Sequence, residues 1–422
     1  MIRKSKRPKI FYGWWIVGAS FLTFLYVGGA VFYGFTAFFE PIQNEMGWSY
    51  TEVSIAASLR GLEMGLLAPL VGVLADRWGP RKLIFGGLFV TIVGLLFLST
   101  ARSLLIFYAA FVLIAIGVSA CTVLVVLTAL ANWFQRRMGL ALGIASSGFG
   151  FSGLLVPVIV RLIEAYDWRA AINILALGML VLILPLSLFF RHRPEQYGYL
   201  PDGETDEAAY PGEGGARKTV EVQVKVKQAL KSGTFWHLAL ARMYHMMATA
   251  AIITHVMPYL STIGVSRARS SLVATAIPLM SVVGRFAFGW LGDRTNKRLV
   301  ATGSFIMIGS GVLCFAYTST AAGIWLLVPF VLLLGVGYGS SNSLLPSLGR
   351  EYFGRNRFGS IYGVVEGIGT AGNMIGPIIA GWVYDNWGSY QPIWFFLTGL
   401  AVVAVISIFT IKPLANQAGP AG

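Results

Sequence analysis

Arg285 is the residue of this chain whose position most clearly predicts chemistry. It interrupts an apolar run and lies eight residues before Asp293, which marks the end of that run. At a helical rise of 1.5 Å per residue, Arg285 lies roughly 12 Å into an apolar layer of about 30 Å. A guanidinium at that depth can hold a carboxylate through two parallel hydrogen bonds, so the position predicts an anion-binding group. The alternative is a structural ion pair, most simply with Glu366.

Two titratable residues in other apolar runs could carry a proton. Glu366 lies seven residues after Gly359, roughly 10 Å deep by the same rise, which matches the depth of Arg285. Glu366 could bind and release a proton as Arg285 gains or loses its ligand; a permanent ion pair with Arg285 is an equal alternative. A third possibility is that an anion and a proton bind together at Arg285. His245 is a second candidate for the proton, although a lone helix histidine is more often a packing residue.

Uncharged polar side chains could complete an anion pocket around Arg285. Tyr338 and Asn342 lie one helical turn apart in a glycine-rich segment, so they share a face. Tyr33 shares a face of the first apolar run with Tyr26. We expect Tyr33, Tyr338 and Asn342 to contribute to binding, with core packing as the competing explanation for each.

The remaining polar groups inside apolar runs are interpreted as structural. Arg60 and Glu63 are three residues apart on one helix and can pair with each other. Arg242 lies about 10 Å from the start of its helix. It could line the cavity or snorkel to the cytoplasmic surface, and we favour snorkelling. His255 lies near the far end of that helix, where a capping or gating role is expected.

A charged, glycine-containing turn occurs twice in the chain. Residues 72–82 read GVLADRWGPRK and residues 289–298 read GWLGDRTNKR. Their aspartates lie 217 residues apart, about half of the 422 residues, as expected for a duplicated protein whose halves move against each other. We predict that these turns lock one conformational state whatever the cargo. The predicted gating residues are Asp76, Arg77, Asp293 and Arg294.

Membrane helices are the elements that must hold these residues. Apolar residues make up 56% of the chain and charged residues 12%, and the mean hydropathy is +0.70. A soluble domain usually has about a quarter of its residues charged. The length allows about twelve spans of roughly 20 residues, and the short alternating segments of a barrel are absent. The sequence therefore predicts an all-α polytopic protein whose main partner is the lipid bilayer.

The distribution of basic residues predicts the orientation of these helices. Twenty-four Lys and Arg residues lie on the side of the N-terminus and four on the other side. This asymmetry predicts a plasma (inner) membrane protein with both termini in the cytoplasm, and it accounts for the net charge of +14 without nucleic-acid binding. The predicted spans are 14–38, 52–74, 83–101, 104–131, 139–162, 169–190, 235–260, 270–291, 299–318, 324–348, 359–384 and 390–411.

Spaced glycines and prolines also indicate two related halves. Three pairs of residues are each 220 positions apart. We predict a six-helix half over residues 1–195, a flexible cytoplasmic linker over 196–232 and a second six-helix half over 233–422. The matching pairs are Gly139 and Gly359, Gly143 and Gly363, and Pro157 and Pro377.

These motifs resemble those of a known transporter family. The turn at 72–82 is similar to the signature loop of the major facilitator superfamily, G-x-x-x-D-R-x-G-x-R. Residues 133–150 resemble the fifth-helix signature of the monocarboxylate porter group, which includes the bacterial oxalate/formate antiporters. Residues 12–15 and 255–259 resemble further patterns of that group. The resemblance implies the major facilitator fold and transport by alternating access.

The same resemblance bears on the site. The segment 285–293 is similar to the one that holds the substrate-binding arginine of the porter group, and an aromatic at Tyr338 would help to cover the carboxylate. Ser281 stands where animal monocarboxylate transporters usually carry an aspartate, and helix 1 lacks their lysine. Glu366 stands at about the position of the second cation of the oxalate branch. One cation without the second favours a monoanion over a dianion.

The sequence thus predicts a secondary transporter of small monocarboxylates such as lactate, pyruvate or short-chain acids. We expect a proton as the coupled ion and a monomer as the functional unit. We expect no enzyme activity, cofactor or metal, because no phosphate-binding G-x-x-x-x-G-K-[ST] stretch, nucleophile–base set or metal-spaced cluster occurs. The alternatives are an anion exchanger of the oxalate/formate kind, an efflux pump for amphiphiles and a non-transporting membrane sensor.

Overall fold

A computed structural model describes residues 11–59, 61, 67–121, 123–134, 137–192, 194–197, 230–319, 323–353 and 358–411, without the side chains of 68, 69, 72, 73, 76, 123, 124 and 358–360. These residues form helices and turns, with no strand among them. The helices are α1 (Gly13–Met46), α2 (Tyr50–Leu59 and Ala68–Trp78), α3 (Pro80–Ser99), α4 (Leu104–Cys121 and Val123–Trp133), α5 (Met138–Ala165), α6 (Trp168–Phe189), α7 (Gly233–Thr262), α8 (Arg267–Arg294), α9 (Lys297–Ala316), α10 (Gly323–Phe353), α11 (Phe358–Trp387) and α12 (Gln391–Thr410).

This architecture confirms the predicted all-α membrane fold of twelve helices in two six-helix halves. Within the described ranges, nine helices are long and apolar enough to cross a membrane: α1, α3 to α6, α8 to α10 and α12. The two 30-residue helices outside this set, α7 and α11, are those that carry Arg242, His245 and Glu366. The linker predicted over 196–232 lies largely outside the described residues, so the predicted domain boundaries stay predictions.

The helices alternate in direction, so the two ends of the bundle can be told apart. The Tyr12 hydroxyl donates to the carbonyl oxygen of Phe189, which joins the start of α1 to the end of α6. The Arg298 guanidinium donates to the carbonyl oxygen of Ile411, which joins the start of α9 to the end of α12. Because the directions alternate, the start of α1 and the end of α12 lie at the same end. We call this end the termini face and the other end the opposite face. Between α2 and α3 the chain turns at Gly79, whose φ of 77° favours glycine.

Helix α1 is longer than its apolar run predicts. The prediction ended it at residue 38, whereas α1 continues through Pro41 to Met46. Pro41 has no N–H, so the carbonyl oxygen of Ala37 loses its normal helical partner. Arg267 of α8 supplies the missing donor, with Nη2 2.7 Å from that oxygen. The predicted end was therefore wrong because a side chain of the other half satisfies the carbonyl that the proline leaves open.

The two halves meet through two symmetry-related helix pairs, α2 with α11 and α5 with α8. The Ser58 hydroxyl of α2 donates to the carbonyl oxygen of Met374 (2.6 Å), and the Thr275 hydroxyl of α8 donates to that of Gly153 (2.9 Å). Ser58 and Thr275 are 217 residues apart, the same offset as the two hairpin aspartates. The internal repeat therefore extends to the contacts between the halves.

A second set of hydrogen bonds joins the halves at the opposite face. Asp385 of α11 accepts from the backbone N–H groups of Tyr50 (2.9 Å) and Thr51 (2.7 Å), at the first turn of α2. Buried His255 of α7 lies 3.1 Å from the Ser54 hydroxyl through Nε2. We call these five residues the latch, because they hold α2 of the first half against α7 and α11 of the second.

Candidate substrate-binding site

Tyr33 reaches the middle of the molecule from an irregular turn of α1. The helix changes from α to π geometry over Gly28–Tyr33. Such π turns redirect side chains and often occur at functional sites. The Tyr33 hydroxyl is buried and lies 3.2 Å from the hydroxyl of Tyr338 in α10. The two phenols therefore meet across the boundary between the halves.

Close packing of α8 against α10 places Arg285 beside this tyrosine pair. A Cβ atom at Gly284 would overlap the carbonyl oxygen of Val336, and one at Gly339 would overlap that of Ser281. Only hydrogen atoms fit at these two positions, so the backbones approach each other directly. Arg285 directly follows Gly284, and Tyr338 directly precedes Gly339. The contact between the helices therefore places Arg285 and Tyr338 at the same level of the bundle.

Arg285 is a cation without an acidic partner in the part of the chain that the structure describes. Its Nη1 lies 3.4 Å from the carbonyl oxygen of Ser146, and its buried Nε has no hydrogen-bond partner. It lies close enough to Tyr33 and His245 for its charge to act on both. The ion pair with Glu366 that the sequence left open does not form, because Glu366 pairs with another arginine.

That arginine is Arg242 of α7. Its Nε and Nη2 lie 3.2 Å and 2.9 Å from Oε2 of Glu366 in α11. The prediction that Arg242 snorkels to the surface is wrong, because α11 supplies a carboxylate inside the bundle and the Arg242 side chain is only 8% exposed. The sequence contains a signal for this pair, since Arg242 and Glu366 lie at similar depths of about 10 Å along their helices.

Glycines of α11 bring this pair together. Gly372 and Gly376 of α11 pack on the backbone carbonyls of Met243 and Met247 in α7, where a Cβ would overlap the oxygens. One turn nearer the termini face, a Cβ at Gly369 would lie 2.8 Å from Cγ of Arg242. The aliphatic part of the arginine therefore lies along α11, which directs its guanidinium toward Glu366.

The same guanidinium contacts two further predicted site residues. Nη1 of Arg242 donates to Oδ1 of Asn342 (3.0 Å) and lies 3.2 Å from Nδ1 of His245. A guanidinium has no acceptor, so Nδ1 accepts and the neutral imidazole carries its hydrogen on Nε2. Asn342 also donates to the carbonyl oxygen of Tyr338 (3.2 Å).

His245 links this network to the tyrosine pair. Its ring is fully buried and stacks on Tyr338, with 5.6 Å between centroids and 21° between planes. Its Nε2 makes no hydrogen bond of normal geometry. The structure thus brings together six of the residues selected from sequence, and it adds Arg242. The six are Tyr33, His245, Arg285, Tyr338, Asn342 and Glu366.

The hairpin residues lie at the termini face, away from this cluster. Arg77 and Asp293 are exposed, and the Arg294 guanidinium lies over the Trp290 ring at 4.2 Å. The side chain of Asp76 lies outside the described set, as do Arg60 and Glu63. The predicted gating and pairing roles of these residues therefore stay predictions.

Known proteins match both halves of the chain. A family model described as Major Facilitator Superfamily matches residues 19–366 and 247–421. The chain is 29% identical to monocarboxylate transporter 12-B of Danio rerio, over 93% of this chain and 85% of that protein, and 27% identical to human monocarboxylate transporter 12, over 95% and 80%. Human monocarboxylate transporter 2 is 24% identical over 95% and 85%.

A solved structure matches the fold. It is the crystal structure of a bacterial homolog to the human lysosomal transporter Spinster, in an inward-facing and occupied conformation. The TM-score is 0.71 at 15% identity, and the match covers 94% of each chain. At this identity the likeness concerns the arrangement of the helices and not the ligand.

Proposed function

The chain belongs to the Major Facilitator Superfamily and is a membrane transporter, and we propose that it carries small monocarboxylates together with a proton by alternating access. One observation carries the proposal. Arg285 is a guanidinium at the boundary of the two halves, without an acidic partner among the described residues and with a buried Nε that donates to nothing. An intramembrane cation in this state is costly unless it functions, and a substrate carboxylate would satisfy it.

The groups around Arg285 suit a carboxylate. Arg285 can donate two parallel hydrogen bonds to its oxygens, and the Tyr33–Tyr338 pair can donate a further one, because one of the two hydroxyls donates to the other. Nε2–H of His245, which makes no hydrogen bond of normal geometry, is a further donor on the ring that stacks on Tyr338. Tyr33 comes from the first half and the other three residues from the second, so a bound anion would contact both halves.

The charge balance favours a monoanion. Arg242 is paired with Glu366 at 2.9 Å, which leaves Arg285 as the net positive charge of the cluster. With Glu366 ionised, one uncompensated cation matches one carboxylate, whereas a dianion would leave a second charge unpaired in a medium of low dielectric. The names of the relatives, monocarboxylate transporters 12 and 2, agree with this class, and lactate, pyruvate and short-chain acids are its simplest members.

The latch indicates the face from which a substrate would reach the site. With Asp385 and His255 joining the halves at the opposite face, the site would be reached from the termini face. The basic residues assign that face to the cytoplasm of a plasma (inner) membrane. Opening the latch while closing the termini face would turn the site outward, with Asp76, Arg77, Asp293 and Arg294 resetting their contacts in a monomeric unit.

Uptake of labelled L-lactate into proteoliposomes tests this function. Wild type and Arg285→Ala are compared with and without an inward proton gradient, with Arg161→Ala as control because Arg161 is an exposed arginine near the end of α5. We expect wild type and Arg161→Ala to follow the gradient and Arg285→Ala to lose uptake.

Other outcomes would replace the proposal with a named alternative. Exchange that ignores the gradient would indicate an exchanger of the oxalate/formate kind. Amphiphile transport that tolerates Arg285→Ala would indicate an efflux pump, and ligand binding without flux would indicate a sensor. Lactate flux that survives in Arg285→Ala would remove Arg285 from the site.

A further inference from the structure

The Arg242–Glu366 pair is asymmetric in its access to solvent. The Glu366 side chain is 35% exposed and that of Arg242 is 8% exposed. On α11, Gly363 and Gly367 have open space where a Cβ would stand, so no side chain that the structure describes covers the helix at these two positions. Both Arg242 contacts of the carboxylate use one oxygen, Oε2. The acid is therefore the more accessible partner of the pair, and the base is the enclosed one.

The enclosed partner connects directly to the anion site. Nη1 of Arg242 lies 3.0 Å from Oδ1 of Asn342 and 3.2 Å from Nδ1 of His245. Asn342 bonds the backbone of Tyr338, and His245 stacks on its ring. Any change in the charge or position of the Arg242 guanidinium thus acts on groups that surround Arg285.

We propose that Arg242 is a second anion-attracting group that Glu366 holds neutralised, and that a proton on Glu366 releases it. With Glu366 ionised, the cluster has one net positive charge; with Glu366 protonated, it has two. The second charge strengthens binding of the substrate carboxylate, and by reciprocity the bound anion favours the proton. The pair is then the element that couples proton to anion. This inference rests on the proposed function, since it assumes that a carboxylate binds at Arg285.

Few other groups near Glu366 could take this role. From α7, Arg242 contacts Glu366 directly, and His245 lies behind Arg242. From α10, Asn342 also contacts Arg242, and on α11 itself Tyr362 is one turn away from Glu366. On α8, the Ser281 hydroxyl donates a hydrogen bond to the carbonyl oxygen of Pro278 (2.6 Å), and serine carries no charge. Arg60 and Glu63 lie outside the described residues, so Glu63 is tested as a rival acid.

Purified protein in proteoliposomes tests the proposal with L-lactate as probe. Glu366→Gln keeps the shape of the side chain and imitates its protonated form permanently. We expect this variant to retain lactate exchange, to lose accumulation driven by a proton gradient, and to have a KM at pH 8 about tenfold lower than wild type, within the usual range of coupling. Glu63→Gln should retain gradient-driven accumulation.

Three results would overturn the proposal. In the first, Glu366→Gln accumulates lactate along the gradient as wild type does. In the second, Glu63→Gln loses accumulation and Glu366→Gln keeps it. In the third, Glu366→Gln is inactive and the double variant Arg242→Gln/Glu366→Gln, folded by gel filtration, is also inactive, which would make the pair structural. Failure of the proposed function itself would look different, as absence of lactate exchange in wild type.

Discussion

Asp385, at the end of α11, caps the first turn of a helix in the other half through Thr51. It accepts from the Thr51 N–H at 2.7 Å and from the Thr51 hydroxyl, and it also accepts from the N–H of Tyr50. A carboxylate at a helix N-terminus satisfies unpaired N–H groups and favours the positive end of the helix dipole. Here the cap on α2 is supplied by α11 of the other half. It therefore stabilises only the state in which the two halves touch at the opposite face.

Removing this cap should favour the state that is open at the opposite face. Loss of a helix cap costs about 1 kcal/mol, so Asp385→Ala should shift the conformational equilibrium about fivefold. Spin labels at the exposed positions Asn44 and Asn386, in a background without Cys121 and Cys314, measure the distance between the halves. We expect the longer-distance population to grow in Asp385→Ala.

Asp167→Ala is the matched control for this experiment. Asp167 caps α6 by accepting from the N–H of Ala170 (2.6 Å), a cap that lies within one half. Its loss should lower thermal stability by a similar amount and leave the distance between the labels unchanged. Equal distance distributions in wild type and Asp385→Ala would show that the cap does not govern the opening.

The Tyr33–Tyr338 pair should act as a unit. Their hydroxyls are 3.2 Å apart across the two halves, so removing either one leaves the other short of a partner. We expect Tyr33→Phe and Tyr338→Phe each to weaken lactate binding severalfold, and the double variant to lose less than the sum, with a coupling of about 1 kcal/mol. Titration calorimetry with L-lactate gives the four affinities.

Tyr26→Phe controls for loss of a buried phenol. The Tyr26 hydroxyl donates to the carbonyl oxygen of Leu175 (2.8 Å) within the first half. This variant should lose thermal stability and keep its affinity for lactate. Additive effects of Tyr33→Phe and Tyr338→Phe would indicate that the two hydroxyls do not interact in the bound state.

The glycine contact between α8 and α10 should be essential for the site. In Gly339→Ala the new methyl group would overlap the carbonyl oxygen of Ser281, so the helices must separate and carry Arg285 away from Tyr338. We expect lactate binding to fall more than tenfold. Gly363→Ala in α11 is the control, since its Cβ would enter open space. Equal lactate affinity in the two variants would contradict this account.

Local patterns in the sequence were enough for the fold and for most members of the site. Apolar runs of membrane length, divided by charged turns, predicted the twelve helices, because a chain in lipid must satisfy its backbone within each helix. Depth along a helix follows from residue counting, so Arg285 and Glu366 could be recognised as intramembrane charges and Tyr33 and Tyr338 as residues of inner faces. These properties depend on each helix alone.

The choice of partners was decided by the tertiary structure. Which carboxylate meets which guanidinium depends on how far each helix is rotated and how closely two backbones approach. Gly369 brings Arg242 against α11, so Glu366 pairs with Arg242, and Arg285 has no acidic partner among the described residues. The similar depths of these residues along their helices could not predict this choice. The cap from Asp385 onto Thr51 likewise joins residues 334 positions apart, and only the packing of α11 on α2 creates it.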